Sequence, residues 1–185
     1  MTALTIVGGG HGAGKTTYCR RLLAERGGHY LTNEVIRREH PDGIERNDVH
    51  RILRERAEAH LARGEPFLFE HIMSGRFAGR LIEMARRSRF SVELIYLDVG
   101  DVERAVSRIE TRVAEGGHDV EREHVADRLR ESRINFWNDY RARADRWRLL
   151  DTSGGTPIEF ARSGVGSDEI LDANLFAIFR NRLAG

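Results

Sequence analysis

A glycine-rich segment near the start of the chain carries the residues with the clearest chemistry. Residues 9–16 read GGHGAGKT and match the pattern G-x-x-x-x-G-K-[ST] at every position, between a predicted strand and a predicted helix. In such a P-loop, backbone N–H groups bind phosphate oxygens, the lysine reaches the β and γ phosphates, and the hydroxyl ligates Mg²⁺. We therefore predict an ATP site with Lys15 as catalytic cation and Thr16 as metal ligand. The predicted nucleotide-binding residues are Gly10, His11, Gly12, Ala13, Gly14, Lys15, Thr16 and Thr17.

The distribution of lysine supports this interpretation. Of the 30 basic residues, all but Lys15 are arginine. A slim ammonium on a flexible stem fits beside terminal phosphates, whereas a planar guanidinium does not. The composition therefore favours a phosphate-binding loop over an ordinary glycine turn.

Three carboxylates follow predicted strands, namely Glu34, Glu70 and Asp98. Ligands of parallel α/β proteins bind beyond the carboxyl ends of strands, so these side chains are expected beside the P-loop. A phosphotransferase needs one carboxylate to accept a hydroxyl proton and commonly another near the metal. The alternative is an exposed loop acid, or a helix cap at Asp98. Ser74 and Arg76 follow the strand that ends at Glu70 and are predicted, with it, to contact a polar substrate.

An arginine stripe is predicted on the helix over residues 101–115. Arg104, Arg108 and Arg112 are spaced by four, so they share one helix face, opposite the apolar stripe. A glycine pair at 116–117 and His118 follow. We predict a lid over about residues 108–124 whose arginines stabilise charge on the γ phosphate. The alternative is a solvated basic stripe.

The remaining pattern alternates strands with helices, which predicts a largely parallel sheet. Strands are expected at residues 4–7, 29–31, 67–70, 92–97 and 148–150. Helices are expected at residues 16–26, 47–63, 77–88, 101–115, 121–146 and 168–183, with a loop over 153–166. This order predicts an α/β, P-loop kinase-like fold of three layers and one domain, residues 1–185.

Composition narrows the function classes. The chain has 185 residues, 40% of them hydrophobic, with a formal net charge of +1. This balance does not favour a nucleic-acid partner, and no apolar run approaches the roughly 18 residues that span a bilayer. The single cysteine, Cys19, allows no internal disulfide. We expect a cytoplasmic protein that acts without a membrane.

Several segments together resemble the zeta-toxin-like P-loop kinases. They are residues 9–17, 32–36 with 40–41 after them, 67–70, 74–76, 108–120, 145–147 and 151–154. Residues 108–120 read RIETRVAEGGHDV. The resemblance covers roughly residues 1–160, and its most specific part is the GGHDV segment.

The resemblance implies a site and a substrate. Zeta toxins phosphorylate a hydroxyl of UDP-N-acetylglucosamine, so a sugar nucleotide is the expected acceptor. Glu34 falls where the family carries its catalytic base, usually an aspartate, and Glu70 falls on a substrate-contacting glutamate. Arg108 matches a phosphate-contacting arginine, and Arg112 matches one in the branch of small proteins.

Two alternatives to a small-molecule kinase remain open from the sequence. One is a regulatory switch that hydrolyses ATP slowly. The other is a protein that binds an antitoxin and whose kinase site is vestigial. If Glu34 is not the base, Asp98 is the next candidate.

Overall fold

The computed structural model describes residues 3–116 and 120–184. Its strands β1 to β7 are Ala3–Gly8, His29–Leu31, Phe67–His71, Ser91–Asp98, Arg146–Asp151, Ile158–Ser163 and Asp168–Ile170. Its helices α1 to α8 are Lys15–Arg26, Asn33–Arg38, Arg46–Arg63, Phe77–Arg87, Val102–Ala114, Arg122–Asn135, Arg141–Arg143 and Ala173–Ala184. A π-helical turn, Phe136–Tyr140, joins α6 to α7.

The seven strands form one sheet in the order β2-β3-β1-β4-β5-β6-β7. The first five are mutually parallel, and β6 and β7 extend the sheet in antiparallel pairing. The parallel strands are rich in buried apolar residues, which is typical of a sheet covered on both faces. The P-loop follows the carboxyl end of the central strand β1.

Two apolar clusters lie on opposite faces of the sheet, so the fold has three layers. On one face, Val7 and Ile95 pack with residues of α1 and α5. On the other face, Ile6 and Tyr96 pack with residues of α3, α4 and α8. Alternate residues of each strand therefore serve different cores. The α/β, largely parallel fold predicted from the sequence is confirmed.

Helix α6 and the π-helical turn that follows it contribute to different clusters. Leu129 of α6 packs on the α1–α5 side, whereas Phe136 of the turn packs on the opposite side. The helical segment therefore crosses the sheet edge at which the P-loop lies. Within the described residues, no helix is both long enough and apolar enough to span a membrane.

Three predicted boundaries near the end of the chain are wrong. The expected loop over residues 153–166 contains β6, because Phe160 and Ala161 are buried in the core and β5 offers a free edge. The expected helix over 168–183 begins only at Ala173, because Asp172 Oδ1 accepts hydrogen bonds from the backbone of residues 174 and 175, and β7 precedes it. The expected helix over 121–146 ends at Arg143, where the next residue is extended.

Candidate active site

The P-loop curls between β1 and α1 in a conformation that its glycines permit. Gly12 has a φ of 70°, and a Cβ there would lie 2.6 Å from the carbonyl oxygen of Ala105. A Cβ at Gly10 would lie 2.6 Å from Leu129 Cδ1. Because α1 begins at Lys15, the unpaired N–H groups of its first turn face the loop. The predicted phosphate-binding residues 10–17 therefore lie together at a helix N-terminus.

Lys15 lies within the curl of the loop. Its Nζ donates a hydrogen bond of 2.8 Å to the carbonyl oxygen of Gly10. Burial lowers the pKa of Lys15, and the nearby Glu70 carboxylate opposes this shift. The ammonium is therefore positioned among neutral loop atoms, and phosphate oxygens can replace the carbonyl as its partner.

Glu70, at the carboxyl side of β3, holds two hydroxyl groups. Its Oε1 accepts a hydrogen bond of 2.9 Å from Thr16 Oγ1, and its Oε2 accepts one from Tyr30 Oη. Burial raises the pKa of Tyr30, and Glu70 raises it further, so the phenol stays protonated and remains a donor. Tyr30 was not predicted from the sequence, because its place beside Glu70 depends on the pairing of β2 with β3.

The Thr16–Glu70 pair fits a Mg²⁺ site chemically. Mg²⁺ prefers hydroxyl, carboxylate and phosphate oxygens. Because Thr16 Oγ1 gives its only hydrogen to Glu70, its lone pairs remain available to a cation. Thr16 and Glu70 are thus the residues that could hold the metal, directly or through its water.

Glu34 lies on α2 and is exposed. Its Oε1 accepts a hydrogen bond of 2.6 Å from Arg38, one turn further along the helix. The neighbouring Asn33 was not identified from the sequence. Its Oδ1 is buried and has no hydrogen-bond partner within the described part of the chain. A buried, unpaired acceptor is uncommon, and a ligand or a water molecule could satisfy it.

The structure corrects the role considered for Asp98. Its side chain is only 2% exposed, and it lines neither cavity described below. Oδ1 accepts hydrogen bonds from Arg133 at 2.9 and 2.6 Å, and Oδ2 accepts one from Arg182 at 3.0 Å. Asp98 is therefore engaged in a buried ion cluster and is not available as a proton acceptor for a substrate.

Arg108 and Arg112 take different positions despite sharing a helix face. Arg108 donates to the carbonyl oxygens of Gly12 at 3.2 Å and Thr152 at 2.5 Å, so it joins the P-loop to the segment after β5. Arg112 is exposed and lines both cavities. Of the predicted lid, residues 117–119 lie outside the described residues.

Two histidines beside the loop are held neutral. Burial lowers the pKa of His11 to about 4, with further contributions from the charges of Lys15, Arg112, His124 and Arg128. Burial likewise lowers the pKa of His71 to about 3, assisted by Lys15. Since the surrounding cations destabilise the imidazolium, the same positive potential favours an anion.

Two cavities meet at the P-loop. The smaller, of about 760 Å³, contains Lys15 and Glu70 and extends to the segment after β5. The larger, of about 1940 Å³, contains Ser74 and Arg76. Both are lined by the same group of residues at their junction, which is His11, Thr16, Thr17, Asn33, Glu34, His71, Ile72, Arg112 and Glu115.

The larger cavity is strongly basic. Among the described residues, its lining carboxylates are Glu34 and Glu115, against ten arginines. These arginines are Arg20, Arg37, Arg38, Arg46, Arg51, Arg54, Arg76, Arg80, Arg112 and Arg128. One wall was missed by sequence analysis. Arg128, on α6, donates to Glu131 at 2.9 Å, and Glu131 accepts from the backbone N–H of Gly75 at 2.9 Å.

Comparisons with known proteins agree with this geometry. The family described as "AAA domain" matches residues 4–133, which is well over half of the chain and includes the P-loop and most of α6. No curated protein matches the chain by sequence.

Solved structures with the same fold share little sequence with this chain. A chain of the AvrRxo1-ORF1:AvrRxo1-ORF2 complex is 18% identical, with a TM-score of 0.73 over 96% of this chain and 63% of that one. A chain of the PezAT toxin-antitoxin system of Streptococcus pneumoniae is 13% identical, with a TM-score of 0.70 over 100% and 86%. A gluconokinase from Sinorhizobium meliloti is 16% identical, with a TM-score of 0.53 over 99% and 90%.

Proposed function

Since the chain belongs to the AAA domain family, with a P-loop and a kinase-like fold, we propose that it transfers the γ-phosphoryl group of ATP to a hydroxyl of a small molecule. The junction of the two cavities carries this proposal. One cavity contains the P-loop, the other offers room for an acceptor, and Glu34 and Arg112 line both. A transfer between two bound molecules needs this arrangement, because the reacting atoms must come within about 3–3.5 Å.

Each residue at the junction has a role in the proposed transfer. The loop amides and Lys15 bind the phosphates, and Glu34 orients the acceptor hydroxyl and removes its proton as the new bond forms. Arg112 and Arg108 offset the charge that develops on the transferred group. Thr16 and Glu70 would hold Mg²⁺, which would neutralise part of the phosphate charge.

The acceptor that we propose is UDP-N-acetylglucosamine or a related sugar nucleotide. A diphosphate suits the arginines that line the larger cavity, such as Arg46 and Arg80. Burial lowers the pKa of His50, also in this cavity, and Arg46 and Arg37 lower it further. Glu70, Ser74 and Arg76 are the proposed contacts to the acceptor.

A partner protein is part of the proposal. Two of the similar structures belong to systems with a second protein, namely the AvrRxo1-ORF1:AvrRxo1-ORF2 complex and the PezAT toxin-antitoxin system. We therefore propose that an antitoxin binds this chain. Because the chain spans only 63% of the AvrRxo1 chain, the activity and partners of that protein are not transferred as a whole.

A phosphate-transfer screen tests the proposed reaction. The full chain is incubated with ATP, Mg²⁺ and a panel of sugar nucleotides, and phosphorylated acceptor and ADP are measured separately. We expect acceptor-dependent ADP release, with one phosphate added per ADP. Lys15→Ala should abolish both. Slow ADP release that no acceptor stimulates would refute the kinase assignment and favour an ATP-hydrolysing switch.

A further inference from the structure

Three potential metal ligands lie close together at the end of the sheet where the parallel strands begin, away from the P-loop. His29 begins β2, His60 lies in the last turn of α3, and Glu65 lies in the connection from α3 to β3. The parallel strands start at this end, whereas the P-loop follows the other end of β1. The cluster is therefore separate from the candidate active site.

The ligand atoms of the cluster are close together. Glu65 Oε2 lies 2.8 Å from His60 Nδ1 and 3.6 Å from His29 Nε2. The ligand atoms of all three residues lie within 4.8 Å of one another. Ligands of a tetrahedral zinc ion, at about 2.0–2.2 Å from the metal, lie roughly 3.3–3.5 Å apart. The separations in the cluster bracket this value.

The surrounding structure fixes two of the three side chains. The His60 side chain is largely buried, and its ring stacks on Phe67 with centroids 5.4 Å apart. Gly64 ends α3 in the left-handed region, and the backbone N–H of Glu65 bonds to the carbonyl of His60 at 3.0 Å. The ring of His29 lies against that of His60, with centroids 4.3 Å apart. The ligands are therefore held ready by packing and by a helix cap.

A guanidinium group contacts the same two atoms. Arg63 Nε lies 2.8 Å from Glu65 Oε2, and Arg63 Nη2 lies 3.3 Å from His60 Nδ1. One ring nitrogen cannot donate to a carboxylate and accept from a guanidinium at once, so the three groups are not all satisfied together. Arg63 is half-exposed at a helix end and can turn into solvent. The Arg63 guanidinium therefore occupies the position beside Glu65 Oε2 and His60 Nδ1 in which a metal cation would bind.

We propose that His29, His60 and Glu65 bind one zinc ion, with water as the fourth ligand. Two imidazole nitrogens and a carboxylate favour zinc over the oxygen-preferring Mg²⁺ and Ca²⁺. His29 belongs to β2, an edge strand of three residues that pairs with β3 alone among the described residues. The metal would tie this strand to α3 and thereby stabilise the folded chain by mass action.

The proposed zinc site and the candidate active site are connected through β2, where His29 of the first is followed by Tyr30 of the second. Tyr30, which follows His29, donates to Glu70. Zinc would thus fix the strand that presents Tyr30 and leads to α2. This effect is distinct from catalysis, since it concerns the position of β2 and the free energy of unfolding.

Calorimetry on the full chain, with no affinity tag and after chelator treatment, tests the proposal. We expect one Zn²⁺ per chain and a rise in melting temperature on adding zinc. His29→Ala removes an exposed ligand with little risk to folding. It should weaken zinc binding by at least about tenfold, since even outer-shell changes cost 10–100-fold. His40→Ala, which changes a histidine outside the cluster, is the matched control and should bind zinc as the wild type does.

Arg63→Ala gives an independent result. If the guanidinium competes with the metal, its removal should tighten zinc binding. Absence of stoichiometric binding, or equal affinity in the wild type and His29→Ala, would overturn the site. Unchanged or weaker binding by Arg63→Ala would overturn the competition between Arg63 and the metal. None of these outcomes depends on kinase activity.

Discussion

The buried carboxylate Asp98 allows a quantitative test of structure against catalysis. Asp98→Asn keeps the size of the side chain and removes its charge. In the wild type, Oδ1 accepts two hydrogen bonds from Arg133, and Oδ2 accepts one from Arg182. An asparagine amide supplies only one acceptor oxygen, so its NH₂ group would face one of these arginines.

The size of the effect follows from burial. The Arg133 side chain is only 7% exposed, so the mutation leaves a buried guanidinium without its counter-charge. Breaking such a pair costs about 3–5 kcal/mol of unfolding free energy. For a domain of this length, 1 kcal/mol corresponds to about 2–4 °C, so the melting temperature should fall by roughly 6–20 °C. Arg182 is 30% exposed and can regain water, so Arg182→Gln should cost much less.

Urea unfolding followed by circular dichroism measures this loss. Glu103→Gln is the matched control, because Glu103 pairs with Arg122 in solvent and such pairs contribute about 0–1 kcal/mol. ATP affinity of the folded fraction should stay within a few-fold of the wild type, since Asp98 lines neither cavity. A loss below about 1 kcal/mol would refute the energetic reasoning. If the mutant were as stable as the wild type but did not transfer phosphate, Asp98 would again be a candidate for the catalytic base.

Three further predictions concern the candidate active site. Glu34→Gln should retain ATP affinity by calorimetry but lower turnover by roughly 10²–10⁴-fold, the usual range for a general base; near-normal turnover would exclude Glu34 as the base. Arg112→Ala should lower kcat far more than ATP affinity, whereas Arg108→Ala should impair both, because Arg108 holds the P-loop to the segment after β5; equal, small effects on both quantities would mean a solvated stripe. The folded protein should lose stability to urea as pH falls from 6.5 towards 4, because the pKa of His11 is lowered to about 4 and the unfolded chain binds the proton first; His11→Asn should reduce this slope, and an unchanged slope would contradict the assignment.

The P-loop and the parallel strands could be predicted because their signals are local. A run such as Phe67-Leu68-Phe69 is buried on both faces and ends at a polar residue, and the glycines of residues 9–14 match a known backbone requirement. Neither inference needs knowledge of distant contacts. The fold class followed from the order of these elements.

The antiparallel extension could not be predicted, because its signals are weak and flanked by glycine. β6 forms because Arg148 on β5 pairs with Glu159 and because Phe160 enters the core beside Phe179. β7 is only three residues long and exposed throughout. Its pairing with β6 depends on tertiary contacts, so it cannot be predicted from a short stretch of sequence.

Side chains of the site were predicted only where a motif or a strand end marked them. Glu70 and Asp98 look alike in sequence, since each directly follows a run of apolar residues. They differ because two hydroxyl groups hold Glu70 beside the P-loop, whereas two arginines from α6 and α8 enclose Asp98. Those arginines lie far away in the chain, so the distinction required the structure.

Helix α6 connects the ion cluster at Asp98 to the cavity wall. It carries Arg133 to Asp98, but it has other attachments to the same edge of the sheet. Ser132 donates to the carbonyl oxygen of Ile72 at 2.5 Å, and Leu129 packs so near the P-loop that a Cβ at residue 10 would lie 2.6 Å from its Cδ1. Because these contacts do not involve Asp98, neutralising that carboxylate should lower the stability of the whole fold while α6 keeps its register in the molecules that remain folded. Stability and site geometry therefore depend on the same helix through different residues, which is why the two quantities can be separated by mutation.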